Sequence, residues 1–324
     1  MKRLLFGLVA VGLFAGVTGR GHADYTFTTL DFPGSVDTSA NGINASGQIV
    51  GYYVVPSLTF HAFLLSDGKY TSFDVPTSTN TSAQAINDAG QIAGRYLDRS
   101  SQNRGFLLNG SGYTSIDPPE STNTFVLGIN DSKQISGFYN RTGIFPSHGF
   151  LYTNGIYTTF DVTGSTSTQA RGINNAGQIV GTYEDMFVKD HGFVRSGDNY
   201  ITLDFPGASP TQASGINDAG KIVGSYVVAG ITHGFILEGD TYSSLDVPTA
   251  TRTFAEAIND TGQIVGVYYD AAGTSHGFIA TPTPEPSSVA LLALAAAALI
   301  GWVCWRGQRN SANVGPNHRS SVGC

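Results

Sequence analysis

The chain has 324 residues, 41% of them hydrophobic and only 13% charged, which is long enough to bury a sizeable core. Its 24 acidic side chains outnumber 17 basic ones, a balance that argues against nucleic acid and anionic lipid as partners, because both require clustered cationic charge. Only two cysteines occur, Cys304 and Cys324, both near the C-terminus, so a disulfide-stapled scaffold is excluded for the rest of the chain.

At the N-terminus, Lys2 and Arg3 precede an apolar run from Leu4 to Val17, and Gly21-His22-Ala23 follows. A basic start, a short apolar segment and a small-residue cleavage site predict a secretory signal over residues 1–23. The run is too short to span a bilayer comfortably.

From residue 24 to residue 283 one phrase returns six times: Gly42-Ile43-Asn44, Ala85-Ile86-Asn87, Gly128-Ile129-Asn130, Gly172-Ile173-Asn174, Gly215-Ile216-Asn217 and Ala257-Ile258-Asn259. The period of about 43 residues marks repeated supersecondary units. Each unit reads as four short strands. The first ends in the Ile-Asn phrase, and the others are typified by Gln48–Tyr53, His61–Leu65 and Tyr70–Pro76. Tight turns are predicted at Asn87-Asp88-Ala89-Gly90 and its relatives and at Ser66-Asp67-Gly68, where Asn, Asp and Gly suit turn positions including those with positive φ.

Four strands per unit predict an all-β, six-bladed β-propeller of four-stranded blades. The sixth unit lacks a fourth strand, whereas Tyr25–Pro33 reads as a fourth strand with no predecessor. Pairing the two closes the ring by having the N-terminal strand complete the last blade and leaves no blade uncovered. This region, 24–283, carries 11 basic and 23 acidic side chains, a net charge of −12, and no cysteine.

Several columns repeat in every unit. Thr38, Thr81, Thr124, Thr168, Thr211 and Thr253 stand six residues before the asparagine, and Tyr53, Tyr96, Tyr139, Tyr183, Tyr226 and Tyr268 nine after it. Identity in every blade points to shared packing rather than to a ligand. The third strands begin with His61, Arg104, His148, His191, His233 and His276, and the fourth strands end in Asp31, Asp74, Asp117, Asp161, Asp204 and Asp246. Arg104 cannot ligate zinc but can donate hydrogen bonds, so a His/Arg donor to an Asp acceptor within each blade explains both columns better than a metal does. A substitution such as Asp161→Ala is expected to cost on the order of 1–3 kcal/mol if the donor it orphans is buried. The His-Ala/Gly-Phe signature, as in His61-Ala62-Phe63 and His191-Gly192-Phe193, resembles the HAF family of bacterial extracellular repeats over about residues 25–280. The resemblance implies an exported, surface-associated protein and supplies no catalytic residues.

Function is expected where the repeat breaks. The second-to-third loops and the blade connectors fall on the side opposite the tight turns, and Leu97–Asn103, Asn140–Ser147 and Glu184–Asp190 show little resemblance to one another. Ile144-Phe145 and Met186-Phe187 put large apolar groups into two of them. A second variable column, three residues before each asparagine, holds Asn41, Gln84, Leu127, Arg171, Ser214 and Glu256, and some of these approach the central channel if the first strand is innermost. Candidate binding residues are therefore Asn41, Gln84, Arg171, Glu256, Phe145 and Phe187. Asn41 and Glu256, adjoining after closure, form the best available pair for an ion. No calcium loop, no G-x-S-x-G elbow and no other metal or cofactor motif is present.

After residue 283, Pro284-Glu285-Pro286-Ser287-Ser288 leads into an uncharged run, Val289 to Trp305, followed by Arg306 and Arg309. As a helix, 289–305 would reach about 25 Å, slightly short of a hydrocarbon core of about 30 Å, and it reads as a short transmembrane helix with its basic flank on the cytoplasmic side. In this tail, 284–324, about residues 284–309 resemble the PEP-CTERM sorting signal of Gram-negative bacteria, from which the chain departs by continuing fifteen residues to Cys324. That resemblance implies recognition of Pro284, Glu285 and Pro286 by an exosortase-type enzyme, inner-membrane anchorage before processing, and a destination in the envelope or extracellular matrix; the alternative is a permanent single-span anchor. The expected function is a binding module for extracellular polysaccharide or an envelope protein. The rivals are a metal-dependent hydrolase or lyase in the channel and a self-assembling structural surface protein.

Overall fold

A computed structural model describes residues 25–141, 143 and 146–283. The secretory signal, the 289–305 helix and the sorting motif at 284–286 lie outside the described residues, as do Ile144 and Phe145. Twenty-four strands form six four-stranded antiparallel sheets. The first blade is built from Asp37–Ile43, Ile49–Val54, Phe60–Ser66 and Lys69–Phe73, and four further blades repeat this order over 80–115, 123–160, 167–203 and 211–245. The sixth contains Arg252–Ile258, Ile264–Tyr269 and Ser275–Pro282, and its fourth strand is Tyr25–Leu30, paired from Tyr25 opposite Pro282 to Leu30 opposite Gly277. The ring is thus closed by the N-terminal strand. Among the described residues no helix is long and apolar enough to cross a membrane.

The core is divided among the interfaces between blades. Val50, Ala62 and Val75 of the first blade pack on Ala83, Ile86, Ile92 and Phe106 of the second, and equivalent layers repeat around the ring. The phenylalanine of each His-x-Phe triplet, and of Arg104-Gly105-Phe106 in the second blade, is buried: Phe63, Phe106, Phe150, Phe193, Phe235 and Phe278. Each such side chain contributes about 1.5–3 kcal/mol by leaving water. Its ring fits because the facing residue of the second strand is glycine. A Cβ on Gly51 would lie 3.0 Å from the Phe63 ring and overlap the Ser39 carbonyl.

The Ile-Asn phrase does more than end a strand. Asn44 Oδ1 accepts the Gln48 backbone N–H at 2.9 Å, closing the tight turn, while Asn44 Nδ2 donates to the Asn87 carbonyl of the next blade at 3.2 Å. The same inter-blade bond runs from Asn87 to Asn130, Asn130 to Asn174, Asn174 to Asn217, Asn217 to Asn259, and Asn259 back to Asn44. Six buried amides therefore form a closed circuit around the axis. The preceding glycine or alanine is small because first strands crowd there; a Cβ on Gly42 would lie 2.8 Å from Ala85 Cα.

The repeating Thr and Tyr columns serve packing. Thr38 accepts the Phe32 N–H and Thr81 the Val75 N–H at 3.1 Å, tying each connector to the next first strand. The tyrosine hydroxyls bond within their own blade, as Tyr53 does to Ser72 and Tyr183 to Thr202, both at 3.0 Å. Five His–Asp pairs form as the sequence predicts, His61–Asp74, His148–Asp161, His191–Asp204, His233–Asp246 and His276–Asp31, at 2.8–3.0 Å. These pairs are partly exposed, which lowers their expected worth from the buried scale to the 0.2–1 kcal/mol typical of exposed ion pairs, roughly.

The sixth pair does not form. Arg104 instead donates from Nε to Asp98 in its own second-to-third loop at 3.1 Å and from Nη2 to Gln102, and Asp117 accepts from the Gly105 N–H and the Ser115 hydroxyl. The longer, forked guanidinium reaches a carboxylate that a histidine ring meets only at longer range, as at His191–Asp185, 3.5 Å. Four of the second-to-third loops also resemble one another more than their sequences suggest. Asp98, Asp185 and Asp270 each cap two backbone N–H groups, two and four residues on, at 2.8–3.0 Å. The backbone of 55–59 follows the same path without the aspartate. An Asx-type turn imposes one conformation on dissimilar side chains.

Candidate functional site

Every first strand carries a β-bulge between the residue facing the second-strand glycine and the Ile-Asn phrase. Opposite Gly51 stands Ala40, opposite Val50 stands Gly42, and Asn41 is left without a partner. Gln84, Leu127, Ser214 and Glu256 are skipped in the same way, and Arg171 lies within the irregular stretch between Ala170 and Ile173. A bulge breaks the two-residue alternation and re-aims a side chain. Here it turns the variable column toward the axis.

Asn41, Gln84, Leu127, Arg171 and Glu256 accordingly line one open cavity of about 380 Å³ at the end of the channel nearest the blade connectors. Its outer wall is a second non-repeating set: Ser39, Phe125 and Phe254 from the first strands, and Tyr52, Arg95, Phe138, Val267 and Tyr269 from the second. Toward the hairpin end two smaller spaces of about 80 Å³ follow, both bounded by the six isoleucines of the refrain. The mouth is lopsided. Phe125 and Phe138 stack at 4.5 Å, and the Arg95 guanidinium lies 5.3 Å from the Phe125 ring.

Burial holds the Arg95 guanidinium below its ordinary pKa, nearby Arg171 adds to that effect, and the Tyr52 phenol opposes it. Burial also raises the Tyr52 phenol, with Tyr269 and Glu256 adding to the rise. The Glu256 carboxyl is pushed up by loss of solvent, with Arg171 pulling the other way. A carboxylate, two guanidiniums and two phenols thus sense one another across the mouth.

The sequence-predicted residues divide clearly. Asn41, Gln84, Arg171 and Glu256 converge. Asn41 is already engaged, accepting from Ser39 at 2.7 Å and donating to the Ala83 carbonyl at 2.8 Å, which leaves it a poor partner to Glu256 for an ion. Among the described residues no group of three or more His, Cys, Asp or Glu is placed to hold a metal. Phe187 is 75% exposed at the tip of the 185–189 loop, borders none of these cavities, and sits apart from the cluster. Phe145 lies outside the described residues. Sequence reasoning missed Arg95, Tyr52 and Phe138. Their signal was available: the residue just before each repeating tyrosine reads Tyr52, Arg95, Phe138, Thr182, Ser225 and Val267, a column as irregular as the one chosen.

Fold and site together define a six-bladed propeller with a chemically asymmetric pocket at one mouth of its channel. The PEP-CTERM protein-sorting motif matches residues 282–309, so the propeller is followed by that sorting signal. Among solved structures, a putative TolB from Agrobacterium tumefaciens is 10% identical with a TM-score of 0.53, the match covering 82% of this chain and 100% of that one. SapL1 lectin in complex with alpha methyl fucoside is 12% identical at 0.51, covering 78% and 98%. A triple arginine-to-alanine mutant of AofleA from Arthrobotrys oligospora is 11% identical at 0.51, covering 79% and 86%. Identities this low establish the shared fold and nothing finer. No curated protein sequence matches the chain.

Proposed function

We propose that this protein is an exported binding module that takes a saccharide of the cell envelope or extracellular matrix in the channel mouth. One observation carries the reading: bulges in the first strands gather the residues that differ between blades into a single cavity of about 380 Å³, walled by aromatic rings and edged by hydrogen-bonding side chains. Apolar faces with a few placed polar groups suit a sugar ring, which offers C–H surfaces to aromatic side chains and hydroxyls to Gln84, Arg171 and Glu256. The fold is capable of such service, since one lectin sharing it holds a fucoside. The HAF-type signature and the sorting motif add an address: passage across the inner membrane, transient anchorage there, and release by an exosortase-type enzyme toward the matrix.

The test is a glycan array probed with the purified protein, followed by titration of the retained glycans against Phe138→Ala. Retention by the parent protein and at least tenfold weaker binding by the variant, about 1.4 kcal/mol, are expected. Absence of any retained glycan, or unchanged affinity in the variant, would overturn the reading.

A further inference from the structure

Two guanidiniums at the mouth combine a sealed, unbonded nitrogen with the lack of a carboxylate partner; Arg195 Nε is sealed and unbonded too, but that guanidinium has a carboxylate beside it. Nε of Arg95 and Nε of Arg171 are sealed from solvent and make no hydrogen bond. Among the described residues no carboxylate lies within 4.0 Å of either guanidinium, whereas Arg104 pairs with Asp98 at 3.1 Å, Arg195 with Asp198 at 3.6 Å and Lys221 with Glu238 at 3.2 Å. The only polar contact of the Arg95 guanidinium among them is Nη1 to the Asn103 amide oxygen at 3.3 Å. Glu256 feels the Arg171 charge but remains outside pairing distance, and its own surroundings favour the neutral acid. A guanidinium nitrogen sealed from water without a hydrogen-bond partner is costly in a free protein, and a cation lacking a carboxylate partner attracts an incoming anion. In a domain with a net charge of −12, two such groups beside one cavity stand out.

We propose, on the saccharide-binding reading above, that the ligand is an acidic oligosaccharide, with the carboxylate of one uronic acid unit lodged between Arg95 and Arg171. The guanidinium fork matches a carboxylate, and the Phe125–Phe138 stack beneath Arg95 offers a face to the pyranose ring that carries it. A chain suits the site better than a single sugar. Tyr52 and Arg95 also form one wall of a neighbouring cavity of about 150 Å³ between the first and second blades, edged by Phe60, Asn80 and Asn103, so a ligand held at Arg95 has room to continue outward.

The test is calorimetric titration of the full chain with oligosaccharides from polygalacturonate, alginate and hyaluronan, each beside its carboxyl-reduced counterpart, at about 0.01 M and about 0.5 M salt, between which the screening length falls from about 30 Å to under about 10 Å. At least one acidic oligosaccharide should bind tenfold or more tightly than its reduced form and weaken at high salt. Arg171→Gln should abolish that preference, read as the ratio of acid to reduced affinity in the same variant, and an unchanged melting temperature would verify its fold. Equal binding of acid and reduced forms, or an acid preference that survives in both Arg171→Gln and Arg95→Gln, overturns this inference and leaves saccharide binding standing. Failure of every oligosaccharide in both sets overturns both.

Discussion

The circuit of six asparagines makes a demanding prediction about a change of one atom. Asn174 is 3% exposed; its Nδ2 donates to the Asn217 carbonyl at 3.1 Å and to Gln178 Oε1 at 2.9 Å, while its Oδ1 accepts the Gln178 N–H at 2.9 Å. Asn174→Asp preserves volume and the accepting oxygen. It removes both donors, orphans a buried carbonyl in the next blade and sets a carboxylate against it. Two lost hydrogen bonds at roughly 0.5–1.5 kcal/mol each, with an orphaned acceptor, give a cost of about 3 kcal/mol. For a domain of this size that corresponds to a fall in melting temperature of about 6–12 °C. The introduced carboxyl would have a folded-state pKa above its unfolded value near 3.9, so stability falls as pH rises between the two. The deficit measured by urea unfolding should therefore be larger at pH 7 than at pH 4. A cost under about 0.5 kcal/mol at pH 7, the range of an ordinary surface change, would refute the idea that these amides fasten blade to blade.

Two further outcomes follow from local chemistry. Lys133 occupies, at φ 61°, the turn position that is glycine in the other five blades, with φ of 75–81° at Gly47, Gly90, Gly177, Gly220 and Gly262; Lys133→Gly should raise stability by about 0.5–1 kcal/mol in urea unfolding, and a loss would contradict the strain assigned to it. Burial alone would lower the His191 pKa, but its bonds and charges with Asp204 and Asp185 outweigh that and raise it above the usual 6.5. A raised folded-state value means that the stabilisation is fully present below the unfolded pKa and is lost as pH rises through the folded one. Parent and His191→Gln should thus differ more in melting temperature at pH 5.5 than at pH 8.5, and the reverse order would sink the assignment.

Much of the scaffold was legible because repetition made it so. The period, the missing fourth strand and the orphan strand at Tyr25 yielded blade number and closure, and the alternation of His with Asp yielded five real pairs. What escaped depends on contacts between units. The reach of Asn44 to Asn87 joins residues 43 apart, and nothing in either hairpin records it. Arg104 is an exception within one unit: it parted from Asp117 because the loop just before it supplied a better-placed carboxylate, Asp98. The site was half visible. Asn41, Gln84, Arg171 and Glu256 were singled out as a variable column, but strict alternation cannot say that a bulge turns them to the axis beside Arg95 and Tyr52. Phe187 drew notice by its size, yet an exposed loop tip places it away from them.

A structure of the protein bound to a glycan retained on the array tests the account most directly. The account predicts electron density for a sugar ring in the connector-side mouth, against Phe125 and Phe138 and within hydrogen-bonding distance of Arg95 or Arg171. Density at the outer blade edges, beside the His–Asp pairs, with the mouth empty, would contradict it.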